Sequence, residues 1–190
     1  MVSTGRPGIW GEFAANSRKH LRSVQTNGLG LTQFLAYRDD GRHQLMSDPL
    51  LPDHDAPWTT RLETAERELR PVHWLAVAAY LLLLALAVRG RPDWVAAVLG
   101  LGSMAMLFAL STYYCSAYVA FGALASFSPG AGFALAVLTW VTNVIAGLGL
   151  EQDKQYAWLS LAVVVFVVGV TGVFGWPRRA PDRDDDPGGR

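Results

Sequence analysis

Long stretches of apolar residues without a single charge dominate the C-terminal two-thirds of this chain. Residues 72–176 hold only six charged residues, and all of them fall in two short clusters, 89–93 and 151–154. A charge at the centre of a bilayer costs about 3 kcal/mol on insertion scales, so uncharged runs of about 20 residues predict membrane-spanning helices. Residues 1–71 instead mix Arg, Asp, Pro and Gly with scattered apolar residues. We therefore expect an all-α membrane protein with a polar N-terminal segment.

The charge clusters and turn signals divide the apolar region into four predicted spans, 72–88, 94–127, 132–150 and 156–176. The first gives about 25 Å of helix, near the lower limit for crossing a bilayer. The second is longer than one span needs and too short for two with a turn, so it is interpreted as one tilted or protruding helix. The fourth has Tyr156 and Trp176 at its ends, as interfacial aromatic residues require. The predictions are thus a four-helix region over 72–176 and a disordered charged tail, 177–190.

The positions of the basic residues predict an orientation. Of the 16 Lys and Arg residues, nine precede the first span, two lie in 89–93, one lies in 151–155 and four follow the fourth span. Because cytoplasmic flanks carry the excess of Lys and Arg, this division of thirteen to three predicts that both termini are cytoplasmic. The 14 Arg against 2 Lys, with abundant Ala and Gly, favour a GC-rich bacterial source and hence the bacterial inner membrane.

A basic amphipathic helix is predicted near the N-terminus, over residues 9–24. Its apolar stripe includes Trp10 and Phe13, and the cations beside it are Arg18, Lys19 and Arg22. Two interpretations stay open at this point. The helix lies in the headgroup region of an anionic membrane surface, or it packs on a protein surface.

The rest of the N-terminal segment, up to residue 71, predicts two further elements. Residues 31–46 are consistent with a small hairpin around Asp40-Gly41, since Asp-Gly favours tight turns. Thr60 and Glu63 have the spacing of a capping box, which predicts a helix over 60–70. Pro71 marks its junction with the first span.

The sequence carries no complete catalytic or cofactor motif, and we expect no cofactor. Zero formal net charge gives no case for nucleic-acid binding, which normally requires a basic excess. Cys115 is the only cysteine, so an intrachain disulfide and a cysteine metal cluster are excluded. Asp53, His54 and Asp55 offer oxygen and imidazole ligands, but in a Pro-rich loop such residues are usually solvated, so no metal site is predicted.

Small and polar residues on the second predicted span suggest a contact surface. At helical spacing they share one stripe, formed by Ser111, Cys115, Tyr118, Gly122 and Ser126. We interpret the stripe as a helix-packing or partner surface, with a ligand channel as the alternative. No Asp, Glu, Lys or Arg lies within a predicted span, which argues against a proton pump or ion-coupled transporter made by this chain alone.

Residues 9–125 resemble the C-terminal region of large polytopic membrane proteins of the kind found in myxobacteria. The resemblance rests on WGEF at 10–13, TNGLG at 26–30, TYYCSAY at 112–118, and on Asn16, Lys19, His20 and Trp58. Some of these proteins look like glycosyltransferases that act on lipid-linked substrates, but the predicted outer loops here are too short for such an active site. Besides the lipid bilayer, the resemblance implies a membrane protein partner. Because no catalytic motif is present, a non-catalytic, partner-binding subunit is favoured, with part of a membrane-embedded transferase as the alternative.

Overall fold

The computed structural model describes residues 8, 10–13, 15 and 27–175, with the backbone alone at 112–115. Residues 27–175 contain two short strands, β1 (Gly28–Leu29) and β2 (Leu110–Ser111). The α-helices are α1 (Leu31–Ala36), α2 (His43–Met46), α3 (Ala56–Val88), α4 (Asp93–Leu107), α5 (Pro129–Gly147) and α6 (Gln152–Gly175). Two 3-10 helices cover Asp39–Gly41 and Thr112–Ser126. The predicted tail, 177–190, lies outside the described residues.

In the part of the chain that the structure describes, three helices are long and apolar enough to cross a membrane: α3, α5 and α6. The prediction of an all-α membrane protein is confirmed. α5 begins with Pro129, whose fixed φ and missing N–H suit the first turn of a helix. Gly149 (φ 63°) supplies the left-handed turn between α5 and α6. These two helices begin and end within about four residues of the predicted limits.

α3 joins two stretches that the sequence predicts as separate helices. It starts at Ala56 and runs through Pro71 to Val88. A proline removes one backbone donor and crowds the preceding turn, but long membrane helices tolerate that local loss. The predicted capping box is wrong, because Thr60 lies inside α3 and its hydroxyl donates to the Ala56 carbonyl at 2.8 Å. A polar half, 56–71, therefore continues directly into an apolar half, 72–88.

The prediction of one continuous helix over 94–127 is wrong. α4 ends at Leu107, extended backbone follows at β2, and the chain continues as the 3-10 helix Thr112–Ser126. The rings of Trp94 and Phe127, at opposite ends of the stretch, lie only 5.1 Å apart. The stretch is therefore a hairpin that leaves one end of the bundle and returns to it, and we call it the 93–127 hairpin. Neither half is long enough to be counted with the three membrane-crossing helices.

The tip of the 93–127 hairpin meets the N-terminal segment inside the bundle. β1 and β2 pair antiparallel, with Gly28 opposite Ser111 and Leu29 opposite Leu110. Leu29 and Leu110 are both buried. Non-helical backbone at membrane depth is tolerated only where protein covers it, because every unpaired N–H or C=O costs several kcal/mol. Each strand supplies the other with partners that lipid cannot provide.

Residues 31–46 form short helices, so the predicted hairpin around Asp40-Gly41 is wrong. α1 buries Leu31, Gln33 and Ala36 against α3 and α6, which a solvated hairpin would leave exposed. Asp40 and Gly41 belong instead to the 3-10 helix, where the Arg61 guanidinium covers Gly41 so closely that a Cβ there would overlap it. Packing on α3 thus overrides the local turn preference.

Contacts between distant residues define the two ends of the bundle. Arg91, in the turn after α3, donates to the Phe174 carbonyl at 3.0 Å, so the ends of α3 and α6 lie together. Arg42 forms an ion pair with Glu151, which places the 3-10 turn beside the start of α6. We call these the Arg91 end and the Glu151 end. The 93–127 hairpin opens at the Arg91 end, since Trp94 follows that turn.

Between the two ends lies one apolar core. Its most buried large side chains include Leu99, Phe121, Leu124 and Val167. Tyr80 is also buried, and its hydroxyl donates to the Leu99 carbonyl at 3.3 Å. The core therefore holds the hairpin against all three crossing helices.

Candidate functional site

The Glu151 end is closed by charged contacts between the N-terminal segment and α6. Arg42 pairs with Glu151, and the backbone N–H of His43 donates to an Asp153 side-chain oxygen. The Asp153 residue is only 6% exposed, so this donor compensates a carboxylate that would be costly to bury alone. Together these contacts hold the chain around residue 42 on top of α6.

Tyr37 and Asp39 extend this contact. The Tyr37 hydroxyl donates to Asp39 Oδ1 at 2.8 Å, and Lys154 Nζ lies 3.6 Å from the same oxygen. Burial, together with that hydrogen bond, raises the pKa of Tyr37 to about 12. The hydrogen bond from Tyr37 and the charge of Lys154 hold the pKa of Asp39 below its usual value. Asp39 is therefore ionised at neutral pH and ties the 3-10 turn to α6.

A polar pocket of about 690 Å³ opens between α1, α3 and the end of α4. We call it the interfacial pocket. Its lining residues are Thr32, Glu63, Glu66, Arg67, Arg70, His73, Trp74 and Leu107. All but the first and the last belong to α3, and they lie on one face because they are spaced three or four residues apart.

The level of the interfacial pocket follows from the packing of α3 on α6. A Cβ on Gly175 would lie 3.7 Å from the Ala87 Cβ, so these residues are level. Both helices rise about 1.5 Å per residue and run in the same direction, since Tyr80 contacts Thr171 further back. Counting back equally along both, Arg70 is level with Trp158, in the aromatic start of α6. The pocket is therefore level with Tyr and Trp side chains of the kind that is enriched at membrane–water boundaries.

The charged side chains of the interfacial pocket do not form ion pairs with one another. Glu63 and Arg67, and likewise Glu66 and Arg70, have the i, i+4 spacing of a helical ion pair. Among the described residues, however, these four side chains form no ion pair within 4.0 Å and no hydrogen bond. Two guanidinium groups and two carboxylates are thus available to a ligand.

Hydrogen bonds position the wall opposite α3. Thr32 Oγ1 lies 3.1 Å from His73 Nδ1, which links α1 to the pocket face of α3. The Gly30 N–H donates to Ser160 Oγ at 3.1 Å, which links the start of α1 to α6. α1 therefore has a defined place, and the pocket has a fixed depth between it and α3.

Comparisons with protein-family models, with curated proteins and with solved structures give no match.

The structure separates the residues of the predicted stripe. Ser111 lies in β2 opposite Gly28, and Tyr118 is buried at 4% exposure. Gly122 is half-buried with Leu135 nearby, whereas Ser126 is exposed. The stripe assumes an α-helix, but this stretch is a strand followed by a 3-10 helix, whose residues rotate by about 120° each. The side chain of Cys115 lies outside the described residues, and a partner surface here stays a prediction.

The predicted membrane-surface helix is described only at its start. Trp10 and Phe13 are 80% and 64% exposed, and their rings meet edge to face at 6.1 Å. Arg18, Lys19 and Arg22 lie outside the described residues. The choice between a lipid surface and a protein surface therefore stays open for this helix.

No group of three His, Cys, Asp or Glu side chains that could hold a metal ion occurs in the described part of the chain. His43 Nε2 lies 2.8 Å from Asp55 Oδ1. That contact lowers the pKa of Asp55. This pair fastens the loop before α3 to α2.

Sequence reasoning missed the interfacial pocket, although part of its signal is readable. The spacing of Glu63, Glu66, Arg67 and Arg70 places all four on one helical face, close to the start of an apolar run. Pro71 indicated a boundary between two helices, so the sequence did not predict that α3 continues through it. The contribution of Thr32 depends on contacts between residues far apart in sequence, which no local pattern reveals.

Proposed function

We propose that this chain is a non-catalytic membrane protein that binds the polar headgroup of a membrane lipid in the interfacial pocket. The observation that carries the proposal is a set of unpaired arginine and glutamate side chains in a pocket of about 690 Å³. The pocket is level with the aromatic start of α6, where lipid headgroups lie. Arg67 and Arg70 suit a phosphate, because guanidinium groups bind phosphate oxygens through paired hydrogen bonds.

The pocket wall nearest the apolar half of α3 favours a lipid over a soluble anion as the ligand. Trp74 is 53% exposed and follows the charged residues along α3 toward the apolar half. Leu107 completes this wall from the end of α4. A ligand with a phosphate at Arg70 and hydrocarbon beside Trp74 and Leu107 would match both the charged and the apolar surface.

Removing the two arginines tests lipid binding. In the full chain purified in mild detergent, Arg67→Gln with Arg70→Gln should reduce retained phospholipid about fivefold for each arginine, because exposed charge pairs contribute up to ~1 kcal/mol each. Bound lipid is counted by native mass spectrometry. Arg38→Gln is the matched control, because Arg38 is exposed at the same end and outside the pocket. Equal retention by the control and the double variant would overturn the proposal.

We also propose, from the resemblance to larger polytopic proteins, that the chain acts as a subunit beside a membrane protein partner. The outward faces of α5 and α6 form an apolar groove of about 520 Å³ with Gly169 in its wall, and small residues favour close helix approach. Co-purification from membranes in mild detergent should identify a stoichiometric partner. Gly169→Leu should release it while the chain stays folded.

A transferase acting on lipid-linked substrates is the second candidate. The observation in its favour is the 3.1 Å contact between Thr32 Oγ1 and His73 Nδ1 at the pocket wall. An imidazole beside a hydroxyl can accept its proton and so assist transfer to or from a bound headgroup. Loss of a transfer activity in His73→Gln, with lipid retention unchanged, would favour the enzyme over the binding protein.

The topology we propose has three crossings in the bacterial plasma membrane, with the Glu151 end in the cytoplasm. α3, α5 and α6 cross, and the 93–127 hairpin returns to the Arg91 end. The Glu151 end then carries the nine N-terminal basic residues and Lys154, ten in all, against six at the other end. The positive-inside bias therefore favours a cytoplasmic N-terminal segment and places the C-terminal tail across the membrane from it.

Reporter fusions distinguish three crossings from the four that the hydropathy pattern suggests. After residues 71, 91, 129, 153 and 178, three crossings predict in, out, out, in, out. Four crossings predict in, out, in, out, in. A cytoplasmic reporter at 129 and 178 would contradict our proposal, and the fusion at 71 serves as the common reference.

A further inference from the structure

We propose that the interfacial pocket selects lipids whose headgroup carries a primary amine beyond the phosphate, the chemistry of phosphatidylethanolamine. The inference rests on the proposed headgroup binding and names the class of lipid. It starts from the order of charges along α3. Arg70 lies nearest the apolar half, Arg67 and Glu66 come next, and Glu63 lies outermost, about 10 Å from Arg70 along the helix.

This order matches the order of groups in an amine-bearing phospholipid. Its acyl chains end at the glycerol, the phosphate follows, and the amine lies furthest from the hydrocarbon. With chains beside Trp74 and Leu107, the phosphate reaches Arg70 and Arg67, and the amine reaches Glu66 and Glu63. Every charge of the pocket then meets an opposite charge, and charge-assisted hydrogen bonds are stronger than neutral ones.

Glu63 and Glu66 distinguish between headgroups, because both carboxylates lack an ion-pair partner among the described residues. A headgroup with a phosphate and hydroxyl groups, such as that of phosphatidylglycerol, brings a negative charge next to two carboxylates and gives them no cation. A neutral glycerol headgroup leaves the arginines without a phosphate as well. An ammonium group presents N–H donors to Glu63 and Glu66, which a quaternary ammonium lacks. The remaining polar groups of the lining, on Thr32 and His73, bond to each other at 3.1 Å.

Lipid titration of the full chain in mild detergent tests the inference. Short-chain phosphatidylethanolamine, phosphatidylglycerol and diacylglycerol are added in turn, and bound lipid is counted by native mass spectrometry. We expect phosphatidylethanolamine to bind about tenfold more tightly than phosphatidylglycerol, and diacylglycerol to bind least. Glu63→Gln with Glu66→Gln should abolish the preference, so that the two phospholipids bind equally tightly. Glu68→Gln, on the same helix and outside the pocket, is the matched control.

The outcomes separate the inference from the proposed function. If phosphatidylglycerol binds as tightly as phosphatidylethanolamine and both depend on the arginines, headgroup binding stands and amine selection is overturned. If neither lipid depends on Arg67 and Arg70, the proposed function itself fails. The ratio measured on the wild-type chain decides the first question even if a glutamate variant does not fold.

The source of the amine and phosphate is tested separately with phosphoethanolamine, which has no chains. Failure of millimolar phosphoethanolamine to displace phosphatidylethanolamine supports a lipid ligand, because the apolar wall then contributes to binding. Displacement at low millimolar concentration would assign the pocket to a soluble phosphate-bearing amine and overturn the lipid assignment.

Discussion

Replacing Gly30 with alanine should destabilise the whole bundle. Gly30 has φ 133° and ψ −179°, a conformation that only glycine adopts readily, so alanine there costs about 1–3 kcal/mol in strain. Its new Cβ would lie 2.6 Å from the Phe108 carbonyl oxygen and 2.7 Å from that of Ala105. Both oxygens belong to backbone, so the hairpin tip must move, which adds about 1–3 kcal/mol. The expected loss is therefore roughly 2–6 kcal/mol, a large part of the stability of a typical domain.

Thermal unfolding of the full chain in mild detergent measures this loss. Since 1 kcal/mol shifts the Tm of a chain of this size by about 2–4 °C, Gly30→Ala should lower it by at least ~4 °C. Gly100→Ala is the matched control, because Gly100 lies within α4 and a Cβ there meets nothing within 4 Å. The control should unfold at the wild-type temperature or slightly above it, since alanine favours helix. If both variants unfold together, the close contact between Gly30 and the hairpin tip is refuted.

Two further predictions concern the 3-10 helix and the Glu151 end. A Cβ on Gly122 would lie 3.6 Å from Leu135, so Gly122→Leu should lower the free energy of unfolding by about 1–3 kcal/mol. Val119→Leu is the control and should be neutral, because Val119 is 74% exposed. Equal folded yields of the two variants would contradict the packing surface. The lowered pKa of Asp39 means that its contribution to docking is complete above its usual pKa and fades as the pH falls below about 4. The protection factors for amide hydrogen exchange in α1 and α2, corrected for the pH dependence of intrinsic exchange, should therefore fall in acid. Asp39→Asn should lower them already at neutral pH. Wild-type protection factors that do not change in acid would exclude this role.

The crossing helices could be predicted from sequence because their signal is local. α5 and α6 are apolar runs bounded by Pro129 at one start and by charges at the other, and their burial in lipid needs no knowledge of the fold. The break at β2 carries no such signal. The stretch from Trp94 to Phe127 contains neither a charge nor a proline, and it breaks where Gly28 and Leu29 supply backbone partners from a distant part of the chain.

The candidate site was predictable only in part, for a related reason. The helical spacing of Glu63, Glu66, Arg67 and Arg70 places charges on one face, but the sequence does not reveal whether they pair with one another. Nor does it show that α1 lies against that face, since Thr32 and His73 are far apart in the chain. The helical spacing predicts the charged face of α3, and tertiary contacts with other elements turn that face into a pocket.

The buried link between Gly30 and Ser160 has a consequence for biogenesis. Gly30 leaves the ribosome 130 positions before its partner Ser160, which lies on α6. Until α6 is released, the Gly30 N–H has no such acceptor, and β1 cannot complete its place within the lipid without exposing backbone. The segment around Gly30 must therefore remain in water or bound to a chaperone while the translocon inserts the helices. That segment then packs into the completed bundle. A truncation that removes α6 would leave it without its binding place.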